Sequence, residues 1–304
     1  MGMKMQEKEY PIPEGSLYYT FRKGQNGENT VCITRYQGLA GEVNIPEQIE
    51  DLPVTVIARK AFLSKKNLRK VTVPVGVKEI EDWAFAYCDG LESVALPDQP
   101  IVFGKSLFLE CTKLRKIFVG EKGEGVAALL AAAVTTAQVP YLLDISAAGS
   151  REWLEKWDAR MMVILRSPDQ EGYSRQVLCG EEDYGSTDQN AYESRQRKRK
   201  VRLLLLRLLY PDGLRAEYRQ EMETYLREHT KGCPGEETWQ VVFEEFGEDR
   251  LYYRLFAELG CVTAENIELL LSDIGEMYPE MKAYLIRYKE ENIGSSDFFA
   301  GLEL

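Results

Sequence analysis

Apolar residues in the first third of the chain recur in columns rather than in runs. At a shift of 23 residues three segments come into register: VTVIARKAFLSKKNLRKVTVP from Val54, VKEIEDWAFAYCDGLESVALP from Val77, and IVFGKSLFLECTKLRKIFV from Ile101. Phe62, Phe85 and Phe108 share a column, as do Leu68, Leu91 and Leu114, then Val71, Val94 and Ile117, then Val73, Leu96 and Val119. Cys88 and Cys111 share another, where the first copy has Lys65. Repetition of this length predicts one supersecondary unit stacked on copies of itself, because a single copy cannot bury its apolar residues alone.

Within a unit the tail L-x-x-V-x-φ-P, with φ apolar, alternates as a half-buried strand does: Val71 and Val73 face one way, Lys70 and Thr72 the other. Pro74 and Pro97 have no N–H to give to a ladder and mark where the strand stops. The stretch that follows places Ile80, Ala84, Phe85 and Cys88 on the opposite wall of the coil, with Asp82 expected to cap a single helical turn. Ahead of the repeats, Leu17–Phe21 and Thr30–Thr34 flank a Gly-containing stretch at 23–27, which predicts a hairpin that caps the array.

After Gly120 the period vanishes, prolines thin out, and alanine, leucine and glutamate take over. Punctuation by Gly, Pro and Asn predicts helices at roughly 123–138, 149–166, 193–210, 212–230, 236–246, 248–259, 263–275 and 279–291. Thr263 is suited to an N-cap and Pro279 to a first helical turn. The stretch Glu181–Asp188 has no apolar periodicity and is expected to be a mobile loop. From about residue 193 the helices are short and paired, as in an α-solenoid.

The segment Ile80–Pro97 resembles the BspA-type leucine-rich repeats, the fifth leucine-rich-repeat class, whose units read I-x-x-x-A-F-x-x-C-x-x-L-x-x-V-x-I-P. Val31–Gly38 and Val43–Pro46, leading into Leu52–Val54, resemble the leading unit of that family, so the resemblance covers roughly residues 17–120. It implies a leucine-rich-repeat solenoid. Members of that family are often secreted surface adhesins, which the resemblance carries here as one reading of function. The last helix pair, Thr263–Leu271 and Pro279–Ile286, is similar to ankyrin-like tails of some bacterial proteins. The expected fold class is therefore α+β. A short, β-rich leucine-rich-repeat domain with its hairpin cap occupies 1–120, and an all-α domain of ankyrin-like or α-solenoid helix pairs occupies 121–304.

Charge sharpens the division. The net charge of -11 is unevenly placed: residues 1–119 hold 16 basic against 15 acidic side chains, and the rest hold 22 against 34. An acidic surface repels nucleic acid and anionic lipid, which argues against a general nucleic-acid partner. The start of the chain alternates charges without an apolar run, so a cytoplasmic location is expected in place of the family's export. The apolar stretch Val126–Val139 is alanine-rich and shorter than the ~20 residues of a membrane span, so it reads as a buried helix. Six cysteines without CxxC pairs are expected to be free thiols.

Catalysis has no visible carrier. The chain has one histidine, His229, and lacks the phosphate-loop, dinucleotide, HExxH and GxSxG signatures. His229 and Cys233 have a ligand-like spacing, but a tetrahedral site needs two further ligands that no nearby pair supplies, and a helix-end histidine is the simpler reading. The cysteine column reads as small apolar side chains at a tight corner rather than a metal ladder. The acidic pairs of the helical half read as solvated faces. No enzyme activity, cofactor or metal is expected.

Two surfaces remain. The run Arg195–Arg202 is the strongest basic patch and supports a second reading, a nucleic-acid-associated or regulatory protein; against it, the run opens a helix whose leucines belong to a core. The other surface is the outward side of the repeat strands, with columns Arg69, Glu92, Arg115; Lys70, Ser93, Lys116; and Thr72, Ala95, Phe118. Such a ladder in a solenoid is extended and free to vary. The expected function is thus a non-catalytic scaffold that binds a protein partner through Arg69, Lys70, Thr72, Glu92, Ser93, Arg115, Lys116 and Phe118, or through the helical region.

Overall fold

The alternation in each repeat becomes two parallel ladders in the computed structural model, which describes residues 7–24, 26–174, 188–231, 233 and 235–294. Three antiparallel strands come first: β1 (Lys8–Ile12), β2 (Gly15–Lys23) and β3 (Asn29–Gln37). The coils then supply β4 (Glu42–Asn44), β5 (Gln48–Ile49), β6 (Leu52–Ile57), β7 (Lys70–Thr72), β8 (Glu79–Ile80), β9 (Ser93–Leu96), β10 (Val102–Phe103) and β11 (Lys116–Val119). One sheet runs β1-β2-β3-β6-β8-β10, with β5 on β6; the other runs β11-β9-β7-β4, all parallel. The predicted hairpin is β2–β3, and β3 joins the solenoid by pairing with β6. The result is a β-solenoid of about 4 turns.

Between the ladders the coil interior is filled by the phenylalanine column. Phe62 stacks on Phe85 at 5.1 Å between ring centroids, and Phe85 on Phe108 at 5.7 Å. Tyr36 extends the stack at 5.3 Å from Phe62, and its hydroxyl donates to the Glu14 carbonyl at 2.7 Å. Burial of each ring contributes ~1.5–3 kcal/mol, and each stacked pair about 0.5–1.5 kcal/mol more.

The corner that follows is not helical. Asp82 does not cap a turn of helix. It accepts the backbone N–H of Lys105 from the next coil at 2.7 Å, because alternate N–H groups of this corner bond sideways between coils while those between them close turns within the corner, as Ala84 does on Glu81 and Ala86 on Trp83. The N–H groups of Lys60, Phe62 and Ser64 donate to the carbonyls of Asp82, Ala84 and Ala86, and those of Trp83, Phe85 and Tyr87 to Lys105, Leu107 and Leu109. To aim alternate N–H groups this way, Lys60, Trp83 and Ser106 take φ of 64°, 58° and 52°, and Ser64, Tyr87 and Glu110 take 58°, 59° and 57°. Non-glycine residues rarely adopt that region, and here the surrounding coils impose it.

The cysteine column has a bonding reason as well as a steric one. The Cys88 thiol donates to the Phe62 carbonyl at 3.0 Å, and the Cys111 thiol to the Phe85 carbonyl at 3.1 Å, each reaching one coil back. In the first copy Lys65 lies over the Tyr36 ring instead, 5.9 Å from its centroid. Burial pushes the Cys88 thiol up to about 11 and the Cys111 thiol up to about 12. An acid whose folded pKa is raised adds stability below its unfolded pKa and loses it as pH climbs through the folded value. The expected result is stability that falls between about pH 9 and pH 12, with a shallower slope in Cys88→Ala/Cys111→Ala. Urea midpoints across that range test it, and an unchanged slope would refute it. Cys32, Cys233 and Cys261 are also buried and free, and Cys179 lies outside the described residues.

The helices are α1 (Glu124–Val134), α2 (Arg151–Arg166), α3 (Gln189–Leu209), α4 (Ala216–Glu228), α5 (Glu237–Phe246), α6 (Arg250–Glu258), α7 (Ile267–Ile274) and α8 (Pro279–Tyr288). Helix α1 packs on β11 and buries Ala127 to Ala133 without a break. It ends at Val134, where the Thr135 hydroxyl turns back to the Ala131 carbonyl at 2.8 Å. Asp188 caps α3 with its side chain, which starts that helix ahead of the expected position 193. Asn266, not Thr263, precedes α7; its side-chain oxygen accepts the Thr263 N–H at 2.9 Å, so the Thr263 end forms a turn before the helix. The mobile loop expected at 181–188 lies, up to residue 187, outside the described residues.

The chain divides into two compact units, Met1–Trp157 and Asp158–Leu304, so the division falls inside α2 and beyond Gly120. The physical reason lies in the tryptophans. The Trp153 indole donates to the Leu142 carbonyl at 2.9 Å and the Trp157 indole to the Leu129 carbonyl of α1 at 3.2 Å, and both rings are buried. Lys122 adds to this end of the first unit by donating to the Ile145 carbonyl at 2.8 Å.

In the second unit α3 is central: α4, α5 and α6 all pack on it, and α7 packs on α8. A repeat array instead has each unit touching only its neighbours. Arg207 of α3 is fully buried and pairs with Asp158 of α2 through Nε at 2.6 Å and Nη2 at 3.1 Å. The same guanidinium donates to the carbonyls of Tyr210 and Asp212. Trp239 is buried among Phe243, Tyr253 and Phe256, with its N–H on Asp273 at 2.6 Å.

Candidate functional site

The β4-β7-β9-β11 ladder aligns the outward columns residue for residue. Its register pairs Glu42, Lys70, Ser93 and Lys116, then Val43, Val71, Val94 and Ile117, then Asn44, Thr72, Ala95 and Phe118. The valine column is buried, so the columns on either side of it point outward. Glu42 and Asn44 were absent from the sequence columns; the 23-residue period begins after them, and only their pairing with Lys70 and Thr72 reveals the fourth rung.

The Arg69, Glu92, Arg115 column stacks through its backbone. Arg69 N–H donates to Gly41 at 2.6 Å, Glu92 N–H to Arg69 at 2.7 Å and Arg115 N–H to Glu92 at 2.9 Å. Arg69, Lys70, Glu92 and Arg115 are exposed, and Thr72, Ser93, Lys116 and Phe118 are half-buried. The charges are unequal in availability. Lys116 is paired with Glu124 of α1 and lies 5.8 Å from the centre of the Phe118 ring. Arg115 spends one Nη on the Thr112 carbonyl at 3.0 Å. Arg69 and Lys70 make no ion pair among the described residues. Rungs ~4.8 Å apart thus present a flat, mixed surface whose open charge is mainly basic.

A depression of about 240 Å³ beside this face is lined by Tyr36, Leu39, Ser64, Lys65 and Asn67. Ligand pockets usually span about 300–1,000 Å³. A shallow one of about 390 Å³ in the second unit is lined by Leu165, Glu217, Thr224 and Tyr225. It is crossed by a two-bond Arg166–Glu221 pair at 2.9 and 2.8 Å, which holds the Glu221 carboxyl below its usual range.

The basic run is largely committed within its own unit. Arg197 pairs with Glu237 at 2.7 Å, Lys198 with Glu244 at 3.0 Å, Lys200 with Asp169 at 2.6 Å, and Arg202 with Glu245. His229 caps the end of α4: it stacks on Tyr225 at 3.9 Å, with Nδ1 2.8 Å from the Tyr225 carbonyl. The Cys233 thiol donates to the Thr230 carbonyl at 2.7 Å, and burial pushes it up to about 12, so the two potential ligands are each engaged elsewhere.

Residues 40–128 match the sequence model of the family described as BspA type Leucine rich repeat region, in 6 copies. Among solved structures the chain is similar to the leucine rich repeat protein TpLRR of T. pallidum. The two are 32% identical over 36% of this chain and 49% of that one, with a TM-score of 0.31. A leucine rich cell surface protein from Faecalibacterium prausnitzii is 28% identical over 37% and 31% of the two chains, at a TM-score of 0.30. A leucine-rich repeat protein from Bacteroides capillosus is 24% identical over 37% and 98%, at 0.26. The chain thus spans about half the length of the first of these and about a third of the second. No curated protein matches it.

Proposed function

With residues 40–128 taken as a BspA-type leucine-rich repeat region, we propose that the chain is a non-catalytic protein-interaction scaffold. Its partner binds the outward face of the β4-β7-β9-β11 ladder, through Arg69, Lys70, Thr72, Glu92, Ser93, Arg115, Lys116 and Phe118. The observation that carries this reading is the register: one side chain per column per coil stands on a rigid parallel ladder, with exposed charges that no core contact uses. A surface ordered before binding loses little further entropy when it is covered.

The helical region, with its ankyrin-like last pair, is a second candidate surface within the same proposal. Commitment of Arg197, Lys198, Lys200 and Arg202 to carboxylates weighs against a nucleic-acid role for that run. No described helix is long and apolar enough to cross a membrane, and the cytoplasmic setting is part of the proposal.

The test is affinity capture from the native cell with the wild-type chain and with Lys70→Glu/Arg115→Glu. Loss of one or more specific partners, at least tenfold by quantitative mass spectrometry and with circular dichroism unchanged, is expected. Retention of every partner by the doubly reversed chain would remove this face from the proposal.

A further inference from the structure

A second cluster lies on the corner between the ladders, away from the columns considered above, with Arg59, Lys60 and Lys105 exposed and Trp83 half-buried. Trp83 occupies a left-handed corner position, with φ of 58°. Two cations from the preceding coil lie over its ring: the Arg59 guanidinium carbon is 4.5 Å from the centroid and the Lys60 ammonium 4.9 Å. One coil beyond, Lys105 accepts the Trp83 N–H on its carbonyl at 3.0 Å and leaves its side chain exposed.

Two carboxylates of this corner, Glu81 and Asp82, hold other groups. One oxygen of Glu81 accepts the Arg59 backbone N–H at 2.8 Å, and the other the Arg22 guanidinium at 2.8 Å. Asp82 accepts the Lys105 backbone N–H at 2.7 Å. The acids therefore hold the backbone of the corner. The side-chain charges of Arg59, Lys60 and Lys105 make no ion pair among the described residues. Two like charges held over one ring repel each other, and the ring's negative face offsets only part of that repulsion. An incoming anion offsets the rest.

We infer that Arg59, Lys60, Trp83 and Lys105 form a docking site for an acidic peptide segment of a protein partner. Three features favour that occupant. Arg59 and Lys60 already lie over the indole ring, so a nucleobase stacking there would have to compete with two cations. The cations lie on the first and third of three successive coils, ~9.6 Å apart at ~4.8 Å per coil, a separation that a single carboxylate or phosphate does not bridge. An extended acidic chain places carboxylates on one face every ~6.8 Å and engages both ends. This site shares no residue with the ladder face, so either can fail without the other.

Trp83 is its own reporter, because Trp153, Trp157 and Trp239 are buried. The full chain is titrated at low salt with a decaglutamate peptide while tryptophan emission is followed, and binding is measured separately by the anisotropy of a labelled decaglutamate. A saturable emission change is expected, weakened by added salt. Affinity should fall at least tenfold in Arg59→Ala/Lys60→Ala and stay unchanged in Lys70→Glu/Arg115→Glu. Circular dichroism and urea midpoints verify that the variants fold. The inference is overturned by a flat titration, or by equal peptide affinity in wild type and Arg59→Ala/Lys60→Ala. Binding of heparin or an oligonucleotide at this site without binding of the peptide overturns it equally.

Discussion

Replacing Phe85 by alanine is expected to destabilise the first unit by about 3–5 kcal/mol, the cost of deleting a fully buried ring and leaving its cavity. Phe85 is the residue to choose because it stacks on both sides, on Phe62 at 5.1 Å and on Phe108 at 5.7 Å, and its N–H and carbonyl both bond to other coils. Phe108→Ala removes the ring at the end of the stack and should cost less. Hydrogen exchange by mass spectrometry reads this locally: protection at residues 60–64 and 83–87 should collapse together, because each of these corners bonds into the next. An equal or larger loss in Phe108→Ala would mean that the stack does not act as a column.

The second large effect belongs to the other unit. Asp158→Ala strands the Arg207 guanidinium, whose side chain is 0% exposed, and should cost about 3–5 kcal/mol, the usual penalty for leaving one member of a buried pair. Replacing both partners, as Asp158→Leu/Arg207→Met, often returns such a site to neutrality. Here it should recover only part of the loss, because the carbonyls of Tyr210 and Asp212 also rely on Arg207. Exchange at α2 and α3 measures both variants, and full recovery in the double variant would show that those carbonyls find other donors. Exchange is preferred to a single global midpoint because a chain of two compact units need not unfold in one two-state step.

The repeat columns were legible because each coil places one residue of a given kind at one depth, so the period of the sequence is the period of the core. Tyr36 escaped that reading. Its separation from Phe62 exceeds the period of the later coils, since the extra short strand β5 lies in that coil between β4 and β6, and only the stacked rings reveal it as the fourth member. Asp82 had the composition of a helix cap, but the corner's φ values direct its N–H groups across coils, and the carboxylate followed them.

The end of the repeat at Gly120 was visible as a change in composition. Which helices would close that end was not, because the period says nothing about where Trp153 and Trp157 find their acceptors. The Asp158–Arg207 pair joins residues far apart in sequence with no periodic link, and neither neighbourhood marks it. For the candidate face, the outward columns could be read directly. The partial neutralisation at Lys116 depended on Glu124, one residue of a helix whose packing the sequence did not disclose.

The left-handed corners restrict how such a chain changes length. Three successive coils carry two of them each, at Lys60 and Ser64, Trp83 and Tyr87, Ser106 and Glu110, and in the first two corners alternate N–H groups meet the next coil. One residue added or lost inside a coil shifts every later donor onto the wrong parity and turns buried columns outward. From Phe62 to Phe108 whole coils can be duplicated or deleted without that fault, so the length of that stretch is quantised: descent can count in turns of the solenoid there, while extra residues are taken up where the corner register is not yet set, as between Tyr36 and Phe62, and in the helical unit.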